Sequence, residues 1–161
     1  MMAGKEHRVK MAEYAISDSA DDTLITIGLG SCVGIALYDS RVKVGGLVHI
    51  MLPENKKGLT PAKYADTGIP LTIEEMEKKG AKKRRIIAKI AGGAQMFSTS
   101  SSDSGLKVGA RNIKKVKEVL DENNIDMLGE DVGENYGRTM KFYLEDGKVL
   151  ITSHKKDDNI L

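Results

Sequence analysis

Two short apolar, β-branched runs, residues 33–38 and 44–51, flank a polar break at Asp39–Lys43, and this constrains the chain more than any other stretch. The pattern predicts two strands joined as an antiparallel hairpin. Just before the first strand the sequence reads Thr26-Ile-Gly-Leu-Gly-Ser-Cys32, a glycine-rich turn running into the only cysteine. The second strand carries His49, one of three histidines. A register that pairs Tyr38 with Lys43 also pairs Ala36 with Gly45, Gly34 with Leu47 and Cys32 with His49. Directly opposed side chains share one face with Cβ atoms about 4.5–5.5 Å apart, which brings a thiol and an imidazole within hydrogen-bond reach. A slip of one residue puts them on opposite faces.

Such a pair supports nucleophilic acyl transfer. A free thiol has a pKa of about 8.5, and a neighbouring imidazolium lowers it by several units. Gly28, Gly30 and Gly34 leave backbone amides open around the cysteine, as an oxyanion site needs. A plainer reading fits the same residues: a cysteine filling an apolar strand and a histidine satisfied in the core. The residues alone leave both open, because single-cysteine signals do not transfer between families.

The remaining chain reads as one domain, residues 1–161, long enough to bury a core. Met11–Ile16 and Thr23–Ile27 suggest two early strands. Thr60-Pro61 suggests a helix start with a capping hydroxyl and proline at the first position. Ala65, Ile69, Ile73 and Met76 continue it at helical spacing, with a kink or two abutting helices expected near Pro70. Ile86–Ala91 is a buried strand candidate ending at Gly92-Gly93, and Ser98–Gly105 a serine-rich loop. Gly109–Asn123 is the clearer helix, its apolar face made by Ile113, Val116, Val119 and Leu120. Ile125–Leu128, Thr139–Leu144 and Lys148–Thr152 complete the strands, and residues 1–10 and 155–161 are expected to fray. Strands that dominate, with two main helices and no regular βα alternation, indicate an α+β layered fold rather than a doubly wound one.

The net charge of +2, spread over residues of both signs, gives no case for nucleic acid or a membrane surface. A lone cysteine makes no internal disulfide and no zinc cluster, and a chain that depends on a free thiol belongs in a reducing cytoplasm. No apolar run approaches a membrane span, and the first ten residues lack the apolar stretch of a signal peptide. Lys78, Lys79, Lys82, Lys83, Arg84 and Arg85 form the most basic run, either a solvated helix end or a docking patch for an acidic partner. His7 fits a surface role, His154 takes none, and Arg138 fits a salt bridge near a turn or an anchor for a partner.

The blocks Thr26 to Cys32, His49-Ile-Met-Leu-Pro53, Lys63-Tyr-Ala-Asp66, Gly92-Gly-Ala-Gln-Met-Phe97, Gly109-Ala-Arg-Asn112 and Glu130-Asp-Val-Gly133 occur in that order. Together they resemble the CheD family, the chemoreceptor glutamine deamidases, over roughly residues 20–155. The resemblance implies an α/β/β sandwich of mostly antiparallel strands and hydrolysis of particular glutamine side chains in chemoreceptor cytoplasmic domains, giving glutamate and ammonia. It implies that Cys32 attacks the amide, that His49 moves the protons through a thioester and its hydrolysis, and that Thr26 holds the imidazole. Backbone amides of Gly30, Ser31 and Cys32 would hold the oxyanion, with no metal or organic cofactor. A CheC-type phosphatase is the second implied partner, so a module that binds and regulates that phosphatase is an alternative function. A thiol hydrolase for another acyl substrate, a peptidase or thioesterase, is a third. The sequence departs from the family at Glu134, where a second glycine is common, so a less compact loop is expected before Arg138. The short polar tail after Ser153 is a further departure.

Overall fold

The structure is a computed structural model that describes residues 4–58, 60–96 and 107–161. Among these residues ten strands and two α-helices follow in the order β1 (Glu6–Arg8), β2 (Tyr14–Ser17), β3 (Thr23–Leu29), β4 (Val33–Asp39), β5 (Val44–Ile50), α1 (Ala65–Lys78), β6 (Ile87–Gly92), α2 (Val108–Glu122), β7 (Asp126–Val132), β8 (Arg138–Tyr143), β9 (Val149–Thr152) and β10 (Asn159–Ile160). They form two five-stranded sheets, β1-β3-β8-β9-β10 and β2-β5-β4-β6-β7. Pairing is antiparallel except at β1–β3 and β6–β7. Parallel neighbours need a crossover, and α2 supplies it between β6 and β7.

Every residue of β4 and β5 is buried, because these strands sit inside the middle layer and are covered on both faces. On one face Val33, Ile35, Leu37, Val48 and Ile50 pack against Ile69, Ile73 and Met76 of α1 and Val116, Val119 and Leu120 of α2. On the other, Ala36, Tyr38 and Leu47 meet Leu24, Leu29, Met140, Phe142 and Val149 of the first sheet. Helices, sheet and sheet therefore stack as the expected α/β/β layers. A central strand covered twice loses the polar alternation of a half-exposed one, which is why 33–38 reads as continuously apolar.

The hairpin register differs from the expected one. Tyr38 pairs with Gly45, Ala36 with Leu47 and Gly34 with His49. The turn begins one residue later than the polar break suggests, because Asp39 belongs to the strand. Its fully buried carboxylate accepts from Arg85 Nε at 3.0 Å and from the amides of Lys82 and Arg41 at 2.9 and 3.1 Å. Lys43 closes the turn in the left-handed region at φ 54°. The displacement between strands is two residues, which preserves the faces: Cys32 and His49 stay on one side but are diagonal rather than opposed.

The break expected near Pro70 falls earlier. Pro61–Lys63 forms a separate 3-10 turn, Thr60 makes no side-chain cap, and Tyr64 is extended. The cause is a parallel bridge between Leu52 and Tyr64, reinforced by Met51 N and Leu52 N donating to Lys63 O at 2.7 and 3.1 Å. Pro70 lies inside α1, where its missing N–H forgoes one bond, to the Asp66 carbonyl. Residues 6–8 and 159–160, within the stretches expected to fray, are strands here. The parallel β1–β3 pairing escapes periodicity because β1 is short and polar, and β10 is only two residues long. The serine-rich loop at 98–105 lies outside the described residues.

Candidate active site

Thr26, on β3 of the first sheet, faces His49, on β5 of the second, and both side chains are buried between the layers. Gly34 is the strand partner of His49. A Cβ at position 34 would sit 2.7 Å from Met140 Sδ and 3.4 Å from Thr26 Cγ2. The space is thus sized for hydrogen, and the two layers close far enough for Thr26 to reach the imidazole.

The hydrogen bonds at this point fix where the protons are. The Thr26 hydroxyl lies 2.6 Å from the Val9 carbonyl and 2.7 Å from His49 Nδ1. A hydroxyl has one proton, and a carbonyl can only accept. Thr26 therefore donates to Val9, and His49 Nδ1–H donates to Thr26. The proton of neutral His49 is on Nδ1, and the lone pair is on Nε2. Among the described residues Nε2 is buried without a hydrogen-bond partner. Val9 is itself held by its amide on Ile25 O at 2.8 Å.

Burial without a counter-charge holds the His49 pKa down at about 4. Cys32 is 9% exposed and belongs to the core cluster between the sheets. Burial pushes its thiol up, against a smaller lowering effect of its own backbone amide. The expected thiol–imidazole hydrogen bond is not formed, since Nε2 is unpartnered, and the expected lowering of the thiol pKa is reversed. The two-residue shift in register, which sets Cys32 diagonal to His49, accounts for the missing bond, and burial with nothing to stabilise an imidazolium accounts for the raised thiol. Both shifts favour the neutral forms of thiol and imidazole.

The turn entering β4 is fixed carbonyl by carbonyl. Gly30 O accepts from Ala94 N at 2.8 Å, Ser31 O from Asn112 Nδ2 at 2.9 Å, and Cys32 O from Gly93 N at 2.8 Å. Gly92 backs onto the Cys32 carbonyl at φ 108°, where any Cβ would collide with that oxygen. Beside the site, the β3–β8 register shifts between Thr26 and Leu29, with Gly28 at φ 78°. Such bulges bend a strand and re-aim its side chains.

A family model described as "CheD chemotactic sensory transduction" matches residues 51–153. The "Probable chemoreceptor glutamine deamidase CheD" of Caldanaerobacter subterraneus subsp. tengcongensis is 51% identical over 153 residues, 93% of this chain and 94% of that one. Its namesake in Syntrophomonas wolfei is 48% identical over 157 residues, 96% and 97% of the two chains. The chain belongs to the CheD family. A CheD-family protein from Clostridium novyi is 55% identical over 131 residues, 80% of this chain and 81% of its own. The crystal structure of Neisseria meningitidis protein NMB0706 superposes with a TM-score of 0.56, covering 91% of this chain and 73% of that one. At 8% identity it shows a shared fold alone.

Of the residues singled out by sequence, His49 and Cys32 lie on the inter-sheet face of the second sheet, Thr26 meets His49 from the first, and Gly30 and Ser31 are on the turn before Cys32. Arg138 is the structural ion-pair partner: Nε donates to Asp131 at 2.8 Å, Nη1 to Gly133 O at 3.0 Å, and the guanidinium lies 4.3 Å from the Tyr136 ring centre. Glu134 does not open the loop before it. It takes the left-handed conformation at φ 59°, and its carbonyl accepts from Gln95 N at 2.8 Å. His7 pairs with Asp22 at 2.8 Å, and His154 is exposed. The basic run divides: Arg85 is bound to Asp39 and Lys78 to Glu75, while Lys79, Lys82, Lys83 and Arg84 face solvent. Sequence reasoning missed the Val9 carbonyl, which lies in a stretch read as frayed, and Asn112, visible only as part of a matching block. Among the described residues no three metal-ligating side chains cluster, and no helix is long and apolar enough to cross a membrane.

Proposed function

We propose that this chain is a protein-glutamine deamidase acting on the cytoplasmic domain of chemoreceptors, with Cys32 as nucleophile, His49 as proton carrier and Thr26 as the residue that positions His49. The observation that carries the reading is the chain from the Val9 carbonyl through Thr26 to His49. It leaves a bare Nε2 lone pair on the inter-sheet face that also holds the lone cysteine. The names of the CheD relatives supply the substrate class.

The substrate's side-chain carbonyl carbon is attacked by Cys32 Sγ as the thiol proton passes to His49 Nε2. The carbonyl oxygen becomes an oxyanion held by the Cys32 amide. Collapse breaks the C–N bond, and the proton on Nε2 leaves with the departing ammonia. Nε2 then takes a proton from water, whose oxygen attacks the thioester, and sulfur departs to recover that proton as glutamate is released. A neutral base suits this sequence, because each cycle begins and ends with Nε2 unprotonated. The small exposure of Cys32 favours a slender side-chain amide over a backbone peptide bond, which sets this reading above a peptidase.

The resemblance also points to a CheC-type phosphatase as a second partner, and a free thiol of this kind suits a reducing cytoplasm. The test is incubation of a purified receptor cytoplasmic fragment with the protein, followed by peptide mapping. Conversion of discrete glutamines to glutamates supports the proposal, and an unaltered receptor counts against it. Retention of a CheC-type phosphatase by the immobilised protein is measured separately.

A further inference from the structure

We infer that Asn112 is a positioning residue that aims the backbone amide of Cys32 into the oxyanion site. The inference rests on the acyl-transfer reading of Cys32 but not on the receptor as substrate. Asn112 is fully buried on α2, on the helical side of the middle sheet. Its Nδ2 donates to Ser31 O at 2.9 Å and to Met51 O at 3.0 Å. One carboxamide thus ties the turn before the nucleophile to the chain leaving the histidine strand.

The consequence follows from peptide planarity. In a trans peptide the N–H points opposite to the C=O of the preceding residue. Fixing the Ser31 carbonyl toward α2 fixes the Cys32 N–H away from α2, toward the inter-sheet face where His49 and Thr26 lie. That N–H belongs to the residue that carries the sulfur, on the side where the oxygen of an attacked carbonyl must be received. The carbonyls on either side, of Gly30 and Cys32, are held by backbone amides. The Ser31 carbonyl is held by a side chain, so the orientation of this peptide depends on residue 112. Among the described residues Asn112 Oδ1 is buried without a partner, a cost in stability that an apolar residue would avoid. Donation from Nδ2 is what the position retains.

The test separates two reactions at the same sulfur. p-Nitrophenyl acetate acylates a thiol through a tetrahedral oxyanion: the S–C bond forms, p-nitrophenolate leaves with the C–O electron pair, and a thioester remains. Iodoacetamide alkylates it by displacing iodide at a saturated carbon, with no oxyanion. Asn112→Ala is expected to lower the acylation rate at least about tenfold, toward the roughly hundredfold loss seen when an oxyanion donor is removed. Its alkylation rate above the thiol's titration midpoint, where the thiolate is fully formed in both proteins, should match that of the wild-type protein. Asn112→Leu keeps the bulk without the donor or an unpaired amide and should behave alike, which covers a failure of the alanine variant to fold. Equal acylation in variant and wild type would overturn the inference. So would a parallel loss of both reactions, which marks a purely structural residue, or a wild-type protein that alkylates but never acylates. Deamidation of the receptor fragment is scored independently. Its absence beside the expected acylation split removes the receptor reading and leaves this one standing.

Discussion

Replacing Thr26 with valine tests the proton arrangement on which the mechanism depends. The side chain is 1% exposed and the change is isosteric, so it exchanges one hydroxyl for a methyl. Two bonds disappear, at 2.6 Å to Val9 O and 2.7 Å from His49 Nδ1. Leaving a buried donor or acceptor unmade costs about 1–3 kcal/mol each, so a loss of about 2–6 kcal/mol in unfolding free energy is expected. The catalytic effect is separate. With no acceptor at Nδ1, the preference for the Nδ1–H tautomer falls by the same 1–3 kcal/mol or so, roughly 5- to 150-fold in equilibrium. The proton then moves to Nε2, which removes the base. Urea unfolding measures the first effect, the ring ¹⁵N shifts of His49 the second, and deamidation kcat the outcome, expected to fall about 10- to 100-fold. Thr26→Ser should restore tautomer and kcat, losing only about 1 kcal/mol for the missing methyl. A valine variant that keeps the Nδ1–H signature and full activity would refute the reasoning.

Iodoacetamide alkylation of native Cys32 followed across pH should show a midpoint above that of a free thiol, the reverse of an imidazolium-activated cysteine; a midpoint below it would mean that burial does not control the thiol. Stability should fall as pH drops from 6.5 toward 4, since the unfolded chain binds a proton at His49 that the folded one refuses. The loss is on the order of 3 kcal/mol, and its slope should vanish in His49→Ala. Below that, Asp22 adds a further loss between pH 3.8 and about 2. Burial alone would raise its pKa, but hydrogen bonds from Ser17, the Lys5 amide and His7 outweigh that and lower it; Asp22→Asn should abolish this segment of the urea-midpoint curve. Gly34→Ala brings a methyl to 2.7 Å from Met140 Sδ and against Thr26, so a destabilisation of about 1–3 kcal/mol and reduced deamidation are expected.

Much of this architecture was legible in the chain. The β4–β5 hairpin, the helix at 108–122 and the shared face of Cys32 and His49 follow from periodicity, which survives a two-residue error in register because strand faces repeat every two residues. The register itself was not legible, because Asp39 looks like a turn residue until Arg85 and the Lys82 amide are brought to it through the fold. The same limit hid the Val9 carbonyl and Asn112. A backbone oxygen has no sequence signature, and a buried asparagine is indistinguishable in sequence from an exposed one. Thr26 stood out only through the family resemblance, since a β-branched residue in a strand needs no other explanation. The charge state of the pair also lay beyond the sequence, because it depends on burial and on the neutrality of the neighbouring hydroxyl.

The proposed reaction has Cys32, served by a neutral His49, convert receptor glutamines to glutamates. Intact-mass analysis of a receptor cytoplasmic fragment, after incubation with wild-type protein or with Cys32→Ala, tests it most directly. With wild-type protein a gain of about one dalton per converted site is expected, the excess of an acid over its amide. No gain is expected with Cys32→Ala, although that variant remains folded. An equal gain with purified Cys32→Ala, or no gain with the wild-type protein, would contradict it.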